Sequence, residues 1–234
     1  MDENLNFNTF LFLSSERLAI KVFEKQSLKK KYFEEKILEK NLKDLNFDVI
    51  DQFLEQNIFK IEKKIKSFVK SINLIIDSND FFMVKISLKK NKYGEMIKKN
   101  DLLYLLNEAR YECKKTIDDR KITHMLIDNY LVDKKEYLLF PIDLKGQFFS
   151  IDLTFICLSN IFIKKIEKVL NKYQITTNHI LYSKYIERFQ SDQNEDIFKI
   201  SMKMIDGHNE NEVSIVPKKP KNLSFFERFF NFFS

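Results

Sequence analysis

Apolar positions along the chain change their period several times, and each change predicts an element. Thr9 to Leu13 and Arg17 to Glu24 are apolar, strand-like runs parted by Ser14-Ser15-Glu16, which predicts a β-hairpin. Tyr32 to Leu38 fits a third strand or a short helix. From Asp48 to Asp77, Ile50, Phe53, Leu54, Ile58, Ile61, Ile65, Phe68, Ile72 and Ile75 recur every three or four positions, predicting one long amphipathic helix. Phe81 to Leu88 reads as a strand. Asn100 then fits an N-cap, with Asp101 opening a helix to Lys115 that carries Leu102, Leu105, Leu106, Ala109 and Cys113 on one face. Ile122 to Ile127 is the next strand, and Asn129 to Gly146 a connecting stretch. Phe149, Ile151, Leu153, Phe155 and Cys157 alternate with mostly polar residues, as a half-buried strand does. Asn160 caps a helix to about Tyr173, and Ile175 to Tyr182 is a last strand. Beyond Phe189 the pattern weakens to a polar break, a short helix over Ile197 to Ile205 closed by Gly207, and a polar stretch from His208 to Lys221.

The final eleven residues, Ser224 to Ser234, stand apart, with six phenylalanines among two charges. At 100° per residue Phe225, Phe226, Phe229, Phe230, Phe232 and Phe233 fill one arc of roughly 160°, and Glu227, Arg228 and Asn231 the opposite arc. Ser224 followed by Glu227 forms a capping box. So short a helix is marginal in water and gains order only when its phenylalanine face is buried, by a lipid interface or by the protein's own core. Its place after a polar linker, beside Lys218, Lys219 and Lys221, favours the lipid.

Composition narrows the function classes. The net charge of +6 comes from 40 basic and 34 acidic residues spread together along the 234-residue chain, which gives a solvated surface and not a nucleic-acid stripe. Cys113 and Cys157 lack metal-ligand spacing and read as reduced, buried thiols. No apolar run is long enough to cross a bilayer, and Met1 to Asn4 has no signal-peptide character, so the expected location is the cytoplasm, with any membrane contact made from that side. His124 lies inside a strand run and reads as packed or hydrogen-bonded, His179 and His208 lack a ligand spacing, and Asp118-Asp119 reads as a solvated turn. Three scattered glycines cannot build a phosphate-cradling loop. The inventory predicts a protein without catalytic residues, cofactor or metal.

Asn100 to Ala109, then Ile122-Thr123-His124-Met125-Leu126, Tyr130-Leu131-Val132-Asp133 and Pro141-Ile142-Asp143-Leu144-Lys145-Gly146 form an ordered series. It resembles the inserted strand–helix–strand–strand (SHS2, or 1C) domain of the FtsA family, actin-like proteins of bacterial cell division. The phenylalanine tail behind its basic linker is similar to that family's membrane-targeting sequence. The resemblance implies an α/β (α+β) fold: a partial actin-like, ribonuclease H-like lobe over residues 1–90, the inserted domain over 91–159, a helix and strand returning to the lobe over 160–189, a linker over 190–221 and an amphipathic helix over 222–234.

Three departures accompany it. The family opens with an Asp-x-Gly-Ser/Thr phosphate loop, whereas here Leu11 stands for the aspartate and Leu13 for the glycine, ahead of Ser14 and Ser15. An aliphatic side chain cannot position magnesium, and a Cβ at the glycine position blocks the backbone from phosphate. The family's Pro-Ile-Gly turn also carries Asp143 in place of its glycine, and its second phosphate loop and FtsZ-docking domain have no counterpart after Tyr182. The implied function is a non-catalytic peripheral membrane adaptor of cell division without nucleotide. It would be held to anionic lipid by the six phenylalanines with Lys218, Lys219, Lys221 and Arg228, at the cytoplasmic face or the septum. Its partners would be division proteins, FtsZ among the candidates, and further copies of itself through the inserted domain. The alternative is a soluble actin-like adaptor, similar to the pilus-assembly protein PilM, that grips a partner's cytosolic peptide.

Overall fold

The computed structural model describes residues 6–38, 45–191 and 195–213. They divide into two compact units, one from Phe81 backwards together with Ser159–His208, the other Phe82–Leu158 joined by the chain from Asn209. The fold is mixed α/β with two sheets.

In the first unit the hairpin strands are β1 (Phe7–Leu13) and β2 (Arg17–Glu24), and β3 (Lys30–Ile37) pairs antiparallel with β2. The 3–4 periodicity that predicted one helix from Asp48 to Asp77 divides in two. Helix α1 spans Phe47–Ile65, capped by Asn46, whose side chain accepts the N–H groups of Asp48 and Val49 at 3.0 and 3.2 Å. It stops where Lys66 turns left-handed, with φ 55°. Ser71–Ile76 is then strand β4. Ile72 and Ile75 kept the helical spacing by coincidence. Leu74 and Ile76 fill the alternate positions with buried Asn73, and burial unbroken from Ile72 to Ile76 suits a strand covered on both faces beside parallel neighbours. Those neighbours are β1 and β9 (Thr176–Tyr182), so the sheet order is β3-β2-β1-β4-β9. Three antiparallel strands followed by two parallel ones have the strand order of the ribonuclease H-like lobe that the resemblance implied.

Helix α1 buries Ile50, Phe53, Leu54, Ile58 and Ile61, and α3 (Asn160–Asn171) buries Phe162, Ile163, Ile166, Val169 and Leu170 beside it. Phe47 and Phe162 meet edge to face. Ser159, not Asn160, precedes the first turn of α3, and its side chain makes no capping bond. After α4 (Ser183–Ile186) comes α5 (Ile197–Ile205), started by Asp196, whose carboxylate accepts the Phe198 N–H at 3.1 Å. Phe198 packs edge-on against Phe10 and Phe33. Lys21 reaches the Asp196 carboxylate and stands 5.2–5.3 Å from the ring centres of Phe23, Phe33 and Phe198. The helix expected inside the linker is therefore part of the core, and residues 195–213 of the expected 190–221 linker are packed structure.

The second unit has β5 (Phe81–Asn91), α2 (Lys99–Thr116), β6 (Arg120–Val132), β7 (Lys135–Tyr137) and β8 (Phe148–Ser159), in sheet order β5-β8-β6-β7. Its core joins Leu102, Leu105, Leu106, Ala109 and Cys113 of α2 to Phe149, Ile151, Leu153, Phe155 and Cys157 of β8. Both cysteines are free and buried. Lys98 rather than Asn100 is the N-cap of α2, because the Asp101 carboxylate reaches back to the Lys98 N–H at 2.8 Å. The stretch expected to be connection from Asn129 begins as strand: β6 runs on to Val132 and folds back into β7 through left-handed Asp133 and Lys134. Beyond the first unit, Asn209–Val213 lies on the open part of β6. Ile127 N–H donates to the Asn211 carbonyl at 2.9 Å, and Val213 N–H to the Met125 carbonyl at 2.8 Å.

Candidate functional site: two turns and a cleft

The first turn is where the resemblance puts a phosphate loop. Leu11 and Leu13 are fully buried. In the ladder Leu11 lies between Ile20 and Leu74, and Leu13 between Leu18 and Ile76. Ser14 is committed to the turn: its hydroxyl accepts the N–H groups of Arg17 and Glu16 at 2.9 and 3.3 Å and donates to the Arg17 carbonyl at 3.1 Å. Ser15 is half-buried beside it. The Leu13 carbonyl accepts the Asp77 N–H at 2.8 Å. Arg17 covers the Phe12 ring at 4.5 Å and bonds Glu35 at 3.1 Å. Leu11, Leu13, Ser14 and Ser15 are thus together at one hairpin end, where the Ser14 hydroxyl is spent on the backbone of its own turn. Among the described residues, no cluster of three or more His, Cys, Asp or Glu side chains could hold a metal ion.

The second turn gathers the motifs that carried the resemblance. Asp133 receives the N–H groups of Gln147 and Phe148 on its carboxylate, both at 2.8 Å. Asp143, where the resemblance leads one to expect glycine, has φ 62°. The position requires a left-handed residue, and a short polar side chain tolerates that conformation better than most. Its N–H donates to the Ile97 carbonyl at 2.9 Å, and Ile97 N–H donates to the Leu144 carbonyl at 2.9 Å. Gly146 is required by space, since a Cβ there would stand 2.4 Å from Val132 Cγ1. At the start of α2, burial opposes the charge of Asp101. Hydrogen bonds from Lys90, Lys92 and the Lys98 backbone nevertheless hold its carboxyl down at about 2. Nothing in the sequence announced that Asp133 would clamp residues 147–148; its left-handed neighbour Lys134 left no signal either.

The predicted histidines take structural places. His124 is buried, its Nδ1 2.7 Å from Glu212 Oε1. His179 Nδ1 is 2.9 Å from the Asn73 side-chain oxygen, and His208 lies edge-on to Phe189. The predicted membrane residues Lys218, Lys219, Lys221, Phe225, Phe226, Arg228, Phe229, Phe230, Phe232 and Phe233 lie outside the described residues. Among the described residues no helix is long and apolar enough to cross a membrane. Sequence reasoning missed one concavity: a cleft of about 370 Å³ in the first unit, lined by Glu55, Ile58, Phe59, Glu62, Phe68 and Tyr173. Phe59 and Phe68 are both about three-quarters exposed at its rim.

No known family model matches the chain, and no curated protein matches it. Solved structures follow part of its path at low identity. A chain of the PilM–PilN type IV pilus biogenesis complex is 8% identical with a TM-score of 0.45, covering 76% of this chain and 48% of its own. The cytoplasmic domain of EpsL, described as an inner membrane component of the type II secretion system of Vibrio cholerae, is 8% identical with a TM-score of 0.40, covering 80% of this chain and 60% of its own. A Bacteroides thetaiotaomicron protein, described as having an actin-like ATPase fold and unknown function, is 12% identical with a TM-score of 0.39, covering 81% of this chain and 58% of its own. The chain therefore spans between about half and three-fifths of the length of those solved chains.

Proposed function

We propose that the protein is a non-catalytic adaptor of an actin-like type, held peripherally to the cytoplasmic membrane by its phenylalanine tail, and that it serves bacterial cell division. The observation that carries the non-catalytic part is the closed first hairpin. Leu11 and Leu13 fill the place of a phosphate loop, and the Ser14 hydroxyl is spent on its own turn. The membrane part rests on the tail's sequence. Burying one phenylalanine is worth roughly 1.5–3 kcal/mol, so partial insertion of six exceeds the ~4 kcal/mol of millimolar affinity. Each basic residue near anionic lipid adds about 1 kcal/mol. Co-sedimentation with phosphatidylglycerol vesicles tests it: the intact chain is expected to pellet, and a chain ending at Pro220 to lose most of that binding. Equal pelleting would sink the anchor. A septal fluorescent fusion that disperses on loss of the tail is the expected result in cells.

The second reading, a soluble adaptor gripping a partner's peptide, is favoured by the cleft between Phe59 and Phe68, whose exposed rings border an opening wide enough for side chains. A chain lacking the tail that still co-purifies with a partner in a Phe59-dependent manner would move the assignment there.

A further inference from the structure

In the second unit the segments 92–98 and 138–147 expose large apolar side chains. Tyr93, Leu138 and Leu139 are 80, 79 and 71% exposed, and Met96, Ile142 and Leu144 stand partly out beside them. This is not slack loop. Lys92 N–H donates to the Gln147 carbonyl at 2.7 Å and Gly94 N–H to the Gly146 carbonyl at 3.0 Å, so the 92–98 and 141–147 segments are clamped into one surface. Phe140, between the exposed leucines and Pro141, packs on Tyr130 and Phe149 and fixes where Leu138 and Leu139 emerge. A soluble surface rarely holds so many apolar groups in register without covering them. The charged border names the cover. On the same stretches of chain Lys89, Lys98, Lys134, Lys135 and Lys145 are exposed, against Glu95, Asp133, Glu136 and Asp143, and Lys89 and Lys135 lie over the rings of Phe148 and Tyr137.

We propose that this tip is a second membrane contact: Leu138, Leu139 and Tyr93 enter the interface of an anionic bilayer while the lysines meet its headgroups. It deepens the membrane reading above and rests on it. The chain itself supports the pairing, because it is stitched to this same unit up to Val213. Ser224 follows eleven residues later, a reach of at most about 40 Å, so a bound tail keeps this unit close to the bilayer. Two modest contacts on one body then act together through effective concentration.

The chain has no tryptophan, so Leu139→Trp in the full-length protein reports on the tip alone. With phosphatidylglycerol vesicles its emission is expected to shift to the blue and to be quenched by brominated lipid. The paired change Leu138→Glu with Leu139→Glu is expected to weaken vesicle binding of the full chain about tenfold and to abolish the residual binding of the chain ending at Pro220. Unchanged tryptophan emission while the protein pellets would overturn the tip contact and leave the tail anchor standing. A full chain that does not pellet at all overturns the anchor first. Loss of self-association without lipid in the glutamate variant, with vesicle binding intact, would overturn the lipid assignment in favour of a second copy.

Discussion

At the Ser14–Glu16 turn of the first unit and the Asp133–Phe148 end of the second, one serine hydroxyl and one aspartate carboxylate satisfy the local backbone N–H groups. The side chains around them differ. Behind Ser14 the apolar residues Leu11 and Leu13 are wholly buried, whereas in the stretch between Asp133 and Phe148 the apolar residues Leu138, Leu139 and Ile142 are exposed. Equivalent backbone solutions therefore say nothing about the task of a turn; the fate of the apolar side chains does. At the first turn the apolar side chains close on one another, and at the second they stay exposed.

The strongest way to break that contrast is to place an acid at the sealed turn. Leu11→Asp would bury a charge without a partner and is expected to cost more than about 4 kcal/mol. Thermal unfolding would show it, and a nucleotide titration is expected to show no gain of magnesium-dependent binding. At the open end, Gly146→Ala forces a Cβ against Val132 Cγ1, with an expected cost of about 1–3 kcal/mol in denaturant unfolding. Asp101 sharpens the comparison by pH. Its carboxyl titrates at about 2 when folded against 3.8 ordinarily, so its stabilisation is complete above about pH 4 and disappears as the pH falls toward 2. Asp101→Asn is accordingly expected to be about 2 kcal/mol less stable near neutrality, with the gap closing in acid. The smallest effect belongs to Asp143→Gly, which relieves a left-handed aspartate at φ 62° and is expected to change stability by less than about 1 kcal/mol, toward stabilisation.

Much of the fold was legible because local period and burial agreed. The hairpin, the alternating strand through Phe155 and the short helix closed by Gly207 follow their patterns residue by residue. The boundary between α1 and β4 was hidden, because Phe68, Ile72 and Ile75 continue a helical spacing across a chain reversal made by Lys66, a residue with no special claim to left-handed backbone. The linker was misjudged for a related reason. Polar composition from Gln190 to Lys221 conceals Phe198, Ile200 and Met202, whose burial depends on Phe10 and Phe33 far upstream. Of the candidate site, the burial of Leu11 and Leu13 could be read from their place in an apolar strand run. The exposed tip could not, since Leu138 and Leu139 look like core in any one-dimensional pattern, and only the packing of Phe140 in their place turns them out.

The pairing of β4 with β9 spans more than a hundred residues of chain, and nearly the whole second unit lies within that span. During synthesis Phe82–Leu158 would leave the ribosome complete in its four strands and helix while the first sheet still lacked its last strand. The intervening unit can thus collapse early and shorten the loop that β9 must close. Val213, pairing with β6 afterwards, is the final stitch, so the chain reaches its tail only when both sheets are finished. A ribosome-stalled series should show protease resistance arising first in the middle of the chain and last at its beginning.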